Sequence, residues 1–276
     1  MDNKLFPNFI FYIIDDHSAR TALQFYFSLY AGGHRLCINS YPQDYNYTNI
    51  RLKNYFDLTV NTMQSLRTCL STNFFFPTHI FEPLVPPPSF TILSHPIDRI
   101  SYEFLIYQRA CKQSPFISQQ KTECARDIRI FSRELDRCNI ITRLFSQTDF
   151  TSDLAQSQFE LAHENISKLD IIGNAYFSKK FIEDVITWLS AKGSSFFSNE
   201  EIIDAHYACS TKKQKIDEFS FEINNNSTFI NLDNRPTGSQ VQSFIGSLDT
   251  QTKDDICEAN QFDLALFDTF TKNEEK

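Results

Sequence analysis

Glycine is scarce in this 276-residue sequence, which contains only six. Phosphate-binding loops of the GxGxxG and GxxxxGK[ST] types need several glycines at fixed spacing, and neither pattern occurs here. The GxSxG and HExxH motifs are also absent. The sequence therefore disfavours dinucleotide-dependent dehydrogenases and Walker-type NTPases, and it has neither a nucleophile elbow nor a zincin helix.

Metal-binding and redox patterns are missing as well. The seven cysteines include no CxxC pair, which excludes zinc ribbons and thioredoxin-like sites. The six histidines do not fall at metal-ligand spacing, so no bound metal is expected. An odd number of cysteines without a CxxC pair favours free, mostly buried thiols in a reducing compartment.

Long apolar runs are lacking too. A membrane-spanning helix needs roughly 18 consecutive apolar residues, and the N-terminal sequence MDNKLFPNFIFYIID has a run of about ten. The same segment has no small-residue cleavage site of the kind that ends a signal peptide. We expect a cytoplasmic or otherwise soluble protein without a signal peptide or a transmembrane segment.

Basic residues are outnumbered, and the formal net charge is −8. Broad nucleic-acid binding needs a basic face that releases counterions, so nucleic acid is not an expected partner. The one tight basic cluster is Lys212, Lys213 and Lys215, for which a solvated surface loop is the simplest interpretation. A local basic pocket for a phosphorylated cofactor stays compatible with the acidic total.

The remaining composition is that of a globular protein, with 41% apolar and 22% charged residues. The length is close to the upper limit for one hydrophobic core. No repeat or long linker divides the chain. We therefore expect a single domain over residues 1–276, with disorder confined to the tail 271–276.

The opening segment has the pattern of a strand, a polar loop and a helix. Phe9–Ile14 is continuously apolar, as in a strand of a parallel sheet that is covered on both faces. A polar break follows, and Thr21–Tyr30 is predicted to be a helix that ends at Gly32–Gly33. Many phosphate-binding α/β folds begin with this unit.

Other segments continue the alternation of strands and helices. Together they predict an α/β fold with a mostly parallel sheet. Further strands are predicted at Arg35–Tyr41, Asn73–Phe81, Phe90–Leu93 and Leu169–Ile172, and helices within Ile50–Leu70 and at Ile97–Arg109, Ala155–Ile166, Phe181–Leu189 and Lys253–Phe270.

The segment Phe90–Arg99, FTILSHPIDR, runs on into a helix rich in aromatic residues. It resembles the strand–turn–helix of heparan and uronyl sulfotransferases, typically LRDPxxRxxSxYYY. In that family this unit binds the 3′-phosphate of 3′-phosphoadenosine 5′-phosphosulfate (PAPS). The likeness is carried by Pro96, Arg99 and the flanking hydrophobic residues.

Five further blocks are similar to that family and occur in its order. The resemblance therefore spans most of the chain and implies a three-layer, P-loop-like architecture, in which helices flank a central, mostly parallel sheet. The blocks are Ile10–Leu23 (IPKTGGTSL in the family), Thr78–Phe81, Asn139–Leu144 (NxxTRxL), Leu161–Gly173 and Asp254–Phe267.

The resemblance implies sulfuryl transfer from PAPS to a hydroxyl acceptor, for instance on a glycan, without a metal. His79 would be the catalytic base, a task suited to an imidazole with an ordinary pKa of ~6.5. His17 stands where the family has the lysine that touches the transferring group. The cofactor would be bound by Ser18, Arg20, Thr21, Ser94, Arg99 and Ser101, and the acceptor by Arg143.

The chain departs from the family at the residues that grip the cofactor. His17 could replace the family lysine only when protonated. Ser94 and His95 stand where the family has arginine and aspartate, and Tyr102 where it has serine, although Ser101 is adjacent. A serine donates one neutral hydrogen bond where an arginine gives charged, bidentate contact, so affinity for a 3′-phosphate should drop unless another cation compensates.

Several of these residues have a second interpretation. Arg99 either compensates for the lost arginine or braces its own helix, and Arg143 either contacts the acceptor or forms an internal salt bridge. His79 is either the base or a partly buried histidine beside a strand, and Arg20 either a phosphate ligand or a surface arginine. No function is assigned to His95, His163 and His206.

Two functions stay open. The chain is either an active, divergent sulfotransferase or a catalytically inactive binding or interaction protein on the same scaffold. A different nucleotide or phosphate donor is a third, smaller alternative, because a neutral Ser94 does not demand a 3′-phosphate.

Overall fold

The computed structural model describes residues 10–12, 35–39, 68–72, 88–113, 127–134, 137–149, 152–191 and 236–271. The strands within these ranges are β1 (Ile10–Tyr12), β2 (Arg35–Asn39), β3 (Thr68–Thr72), β4 (Ser89–Leu93) and β5 (Ile171–Asn174). The helices are α1 (Pro96–Gln113), α2 (Ile128–Phe131), α3 (Ile140–Ser146), α4 (Gln156–Ser167), α5 (Ser178–Ala191), α6 (Gly238–Ser247), α7 (Thr250–Ala259) and α8 (Gln261–Thr271).

The strands form one parallel sheet in the order β2-β3-β1-β4-β5. β1 lies at the centre, where Tyr12 is opposite Thr72 of β3 and Thr91 of β4. All three residues of β1 are buried, as its continuous apolar run predicts for a strand covered on both faces. The prediction of a mixed α/β fold with a parallel sheet is confirmed.

Helices contact both faces of β1. Successive side chains of a strand point to opposite faces. The Phe11 ring packs edge-on against Phe181 of α5, and the Tyr12 ring packs edge-on against Phe145 of α3, each at 5.8 Å between centroids. The α5 face continues onto β4, where Phe90 lies beside Phe11 in the sheet and contacts Trp188.

One strand prediction needs correction, and β3 is a strand that the sequence patterns do not predict. Thr68–Leu70 of β3 lie at the end of the range Ile50–Leu70, and the rest of that range, where a helix is predicted, lies outside the described residues. The predicted strand Leu169–Ile172 begins two residues later and continues through Asn174. Asp170 sets this start, because its N–H donates to the Ser89 carbonyl and its Oδ2 accepts from the Ser89 N–H, both at 2.9 Å.

The single helix predicted at Lys253–Phe270 is two helices, α7 and α8, that meet at Asn260. The backbone of Asn260 leaves the helical region, with φ −119° and ψ 33°, and its Nδ2 donates to the Ile256 carbonyl at 2.9 Å. The disordered tail predicted for residues 271–276 is wrong at its first residue, because Thr271 is a buried residue of α8. The predicted helix Thr21–Tyr30 and strand Asn73–Phe81 lie outside the described residues.

Cys111 on α1 is disulfide-bonded, so the expectation of free thiols is wrong at this position. Cys138 and Cys257 are free. Within the described ranges, no helix combines the length and apolarity needed to cross a bilayer.

Gly173 has no room for a side chain, which predicts a large effect of its substitution. A Cβ at this position would lie 2.2 Å from Cδ2 and 2.9 Å from Cβ of Phe181, so rotation of the ring cannot relieve the clash. We expect Gly173→Ala to lower the free energy of unfolding by about 1–3 kcal/mol in urea denaturation. Gly246→Ala is the control, because nothing lies within 4 Å of its Cβ and alanine favours a helix. Equal stabilities of the two variants would contradict the packing of β5 against α5.

Candidate functional site

The sheet topology singles out the carboxyl ends of β1 and β4. The chain runs from β1 to β2 on one side of the sheet, and from β4 to β5 on the other side. In open parallel sheets, ligands bind at the carboxyl ends of the strands where such connections diverge. Ser94 and His95 follow β4 directly and precede α1, so they lie at this edge.

Ser94 is a buried residue with an unused hydroxyl. It is 1% exposed, and its Oγ has no hydrogen-bond partner among the described residues. Leaving a buried hydroxyl unpaired costs roughly 1–3 kcal/mol, so such a group calls for an explanation. Ser101 is also buried, and its Oγ is likewise without a partner in the described part of the chain. An oxygen of a bound ligand would satisfy the Ser94 hydroxyl.

His95 caps the N-terminus of α1. Its Nδ1 accepts a hydrogen bond from the N–H of Ile97 at 3.2 Å, and its carbonyl accepts from the N–H of Arg99 at 3.0 Å. The imidazole packs edge-on against Phe267 of α8, with 5.3 Å between centroids. Histidine is not among the residues preferred as N-caps. The one feature of the sequence that indicates this cap is the position of His95 just before Pro96, because proline is common at the first residue of a helix.

Asp98, in the first turn of α1, links this helix to the segment that follows β5 and to α6. Asp98 on α1 accepts a hydrogen bond at Oδ2 from the hydroxyl of Tyr176, which lies two residues beyond β5. Its Oδ1 accepts from Nε2 of Gln242 on α6 at 2.9 Å. Burial, followed by the bond to Asp98, raises the pKa of Tyr176 above its ordinary value, so the phenol stays protonated at neutral pH. The start of α1 is thereby held against both β5 and α6.

Arg99 is fully buried, and its guanidinium is bonded within the protein. Nη1 donates to the carbonyl of Arg137 and Nη2 to Oδ1 of Asn260, both at 2.8 Å. The carboxylates of Asp263 and Glu103 lie at 3.4 and 3.5 Å. The Nε of Arg99 has no hydrogen-bond partner among the described residues. These contacts join α1 to the segment before α3 and to the α7–α8 junction, and the phosphate contact stays a prediction.

Asp263 caps the N-terminus of α3 from α8. Its carboxylate accepts from the N–H groups of Ile141 and Thr142 at 3.1 and 2.9 Å, and from the Thr142 hydroxyl at 2.9 Å. Burial raises the pKa of Asp263, while Arg99 and the donors of Thr142 and Ile141 lower it in opposition. These donors replace the water that burial removes, so the carboxylate depends on all of them.

Asn139 forms the reciprocal cap. Its Oδ1 accepts from the N–H groups of Phe262 and Asp263 at the start of α8, at 3.1 and 3.2 Å. Its own N–H donates to Oδ1 of Asn260 at 3.0 Å. Asn139 adopts a left-handed conformation, φ 50°, which asparagine tolerates better than most residues. Residues of the segments 139–144 and 254–267, which are separate blocks in the sequence, thus form one buried polar cluster with Arg99.

Arg143 is also directed inward. It is 3% exposed, and it donates to the carbonyl groups of Cys138, Asp149 and Ser152 at 3.2, 2.6 and 2.8 Å. Within the described part of the chain it makes no ion pair, so these contacts are not the internal salt bridge that was one of its two interpretations. The side chain closes the loop that follows α3, and contact with an acceptor stays a prediction.

The remaining predicted site residues lie in segments that the structure does not describe. These are His17, Ser18, Arg20, Thr21 and His79. In the described ranges, no group of three His, Cys, Asp or Glu side chains is placed to hold a metal ion.

Neither a protein-family model nor a curated protein matches the chain. The likeness to carbohydrate sulfotransferases therefore rests on the residue motifs given above, and the function derived from it is a proposal.

Proposed function

We propose that the protein binds PAPS at the carboxyl ends of β1 and β4 and transfers its sulfuryl group to a hydroxyl of a carbohydrate or another alcohol. The observation that carries the proposal is the buried, unpartnered hydroxyl of Ser94 at the turn between β4 and α1. This is the strand–turn–helix that resembles the 3′-phosphate-binding unit of sulfotransferases. Helices on both faces of β1 support the three-layer, P-loop-like architecture.

The reaction needs a base on the acceptor, charge stabilisation of the sulfonate and leaving phosphate, and close positioning. In this proposal His79 takes the acceptor proton, and His17 and Arg20 contact the 5′-phosphosulfate. Ser94 donates to the 3′-phosphate. Binding is weaker than with an arginine at that position, because charge-assisted hydrogen bonds are roughly twice as strong as neutral ones.

A second candidate is an inactive binding protein on the same scaffold. One observation favours it: Arg99, which would have to compensate for the serine at position 94, is bound to Asn260 and Asp263. A chain that binds the nucleotide without this charge would have low affinity and slow transfer. Binding and transfer therefore have to be measured separately.

Ser94→Ala distinguishes a ligand-binding hydroxyl from a structural one. Without ligand, we expect its free energy of unfolding to match or exceed that of the wild type, because an unpaired buried group is removed. Ser132→Ala is the matched control, because Ser132 is equally buried and its Oγ donates to the Arg129 carbonyl at 2.9 Å. That variant should lose about 1 kcal/mol in urea denaturation.

The desulfated product, PAP, then tests the proposal by calorimetry. The wild type and Ser132→Ala should bind PAP equally, and Ser94→Ala should bind about tenfold more weakly, as expected for a hydrogen bond to a charged group. Wild-type protein that shows no binding at millimolar PAP would overturn the proposal. Unchanged binding by Ser94→Ala would remove Ser94 from the site.

A further inference from the structure

His95 has one ring nitrogen in use and one unused. Nδ1 accepts the Ile97 N–H, whereas Nε2 has no hydrogen-bond partner among the described residues. The side chain is 23% exposed. In the chain, His95 lies between Ser94 and the first residue of α1, at the edge of the sheet where the connections diverge.

The hydrogen bond at Nδ1 decides which tautomer is present. A nitrogen that accepts an N–H carries no proton, and a neutral imidazole has its proton on the other nitrogen. His95 therefore presents an Nε2–H group. This group is a hydrogen-bond donor and cannot accept the proton of an acceptor hydroxyl, so it is not a second catalytic base.

The surroundings keep the ring neutral. Burial lowers the pKa of His95, and Asp98 of α1, with a carboxylate oxygen at 3.9 Å, and Asp268 of α8 oppose that shift. Asp98 is itself bonded to Tyr176 and Gln242, which reduces its pull on the imidazole. Protonation would also replace the acceptor at Nδ1 with a donor facing the Ile97 N–H.

We propose that His95 donates a hydrogen bond from Nε2–H to an anionic oxygen, of a phosphate or a sulfonate, on a ligand held beside the Ser94 hydroxyl. A neutral donor suits an acidic chain with a formal net charge of −8, in which the guanidinium of Arg99, one turn further along α1, is already bound to Asp263. The inference rests on the proposed function for the identity of the ligand. The tautomer and the unused donor rest on the geometry of His95 alone.

Long-range ¹H–¹⁵N correlation spectra of the imidazole nitrogens test the tautomer directly. At neutral pH the His95 signals should show a protonated Nε2 and an unprotonated Nδ1. Titration with PAP, and separately with inorganic phosphate, should shift the Nε2 resonance to saturation. A protonated Nδ1, or an Nε2 resonance that responds to neither probe, would overturn the inference.

His95→Asn separates the cap from the ligand contact. Asparagine is a preferred cap, so this variant should melt at the wild-type temperature, whereas His95→Ala should melt about 2–4 °C lower. Both should bind PAP at least tenfold more weakly, the loss expected for a hydrogen bond to a charged group. Wild-type affinity in His95→Asn would show that His95 is a cap alone.

The two probes also separate this inference from the proposed function. If inorganic phosphate shifts the His95 Nε2 resonance and PAP does not bind, the sulfotransferase proposal is wrong and the anion contact stands. If PAP binds and His95→Asn does not weaken it, the proposed function stands and the role of His95 is wrong.

Discussion

Asp263→Ala is expected to lower the free energy of unfolding by about 3–5 kcal/mol, because it leaves the buried charge of Arg99 without its nearest carboxylate at that site. The same change removes the acceptor for the N–H groups of Ile141 and Thr142 at the start of α3. Urea denaturation measures the loss. A change below about 1 kcal/mol would contradict the buried cluster, since exposed substitutions already fall within about 0.5 kcal/mol of the wild type.

Matched controls separate burial from charge. Asp254→Ala removes an exposed carboxylate from α7 and should leave stability within about 0.5 kcal/mol of the wild type.

Arg99→Met should lower the free energy of unfolding by about as much as Asp263→Ala does. The double variant should lose less than the sum of the two single losses, with a coupling energy of about 0.5–3 kcal/mol. Additive losses would mean that Arg99 and Asp263 do not stabilise each other.

His79→Ala is expected to reduce transfer of radiolabelled sulfate from PAPS by about 10²–10⁴-fold, the usual contribution of a positioned base. PAP affinity should be unchanged, because in the proposed reaction His79 contacts the acceptor and not the nucleotide. His163→Ala is the control, since His163 on α4 packs against Phe159 and Phe270 and has no assigned role. Its rate should equal that of the wild type.

The transfer assay also decides between the two candidate functions. Transfer that is abolished by His79→Ala would exclude the inactive binding protein. PAP binding without transfer to any tested glycan or alcohol would favour that second candidate. Transfer that survives His79→Ala would mean that the base is another residue.

Local patterns in the sequence were sufficient for much of the fold. The apolar run around β1 predicted a strand buried on both faces, and the apolar spacing from Ala155 to Ile166 predicted α4 within one residue. Both depend on neighbouring residues alone. The break between α7 and α8 does not, because Asn139, some 120 residues away, accepts the first N–H groups of α8. No local pattern carries that information.

The candidate site was less accessible from the sequence for the same reason. Arg99 has the position of a phosphate ligand in its motif, but its partners Asn260 and Asp263 come from the far end of the chain. His95 differs from the family residue at its position, so resemblance offered no role for it. Its cap and its unused Nε2 depend on the turn between β4 and α1, which only the structure describes.

The structure of the protein with bound PAP tests the central claim most directly. PAP is expected to lie across the carboxyl ends of β1 and β4, with an anionic oxygen within hydrogen-bond distance of Ser94 Oγ and of His95 Nε2. PAP bound elsewhere on the chain, with Ser94 and His95 as they are in its absence, would contradict it.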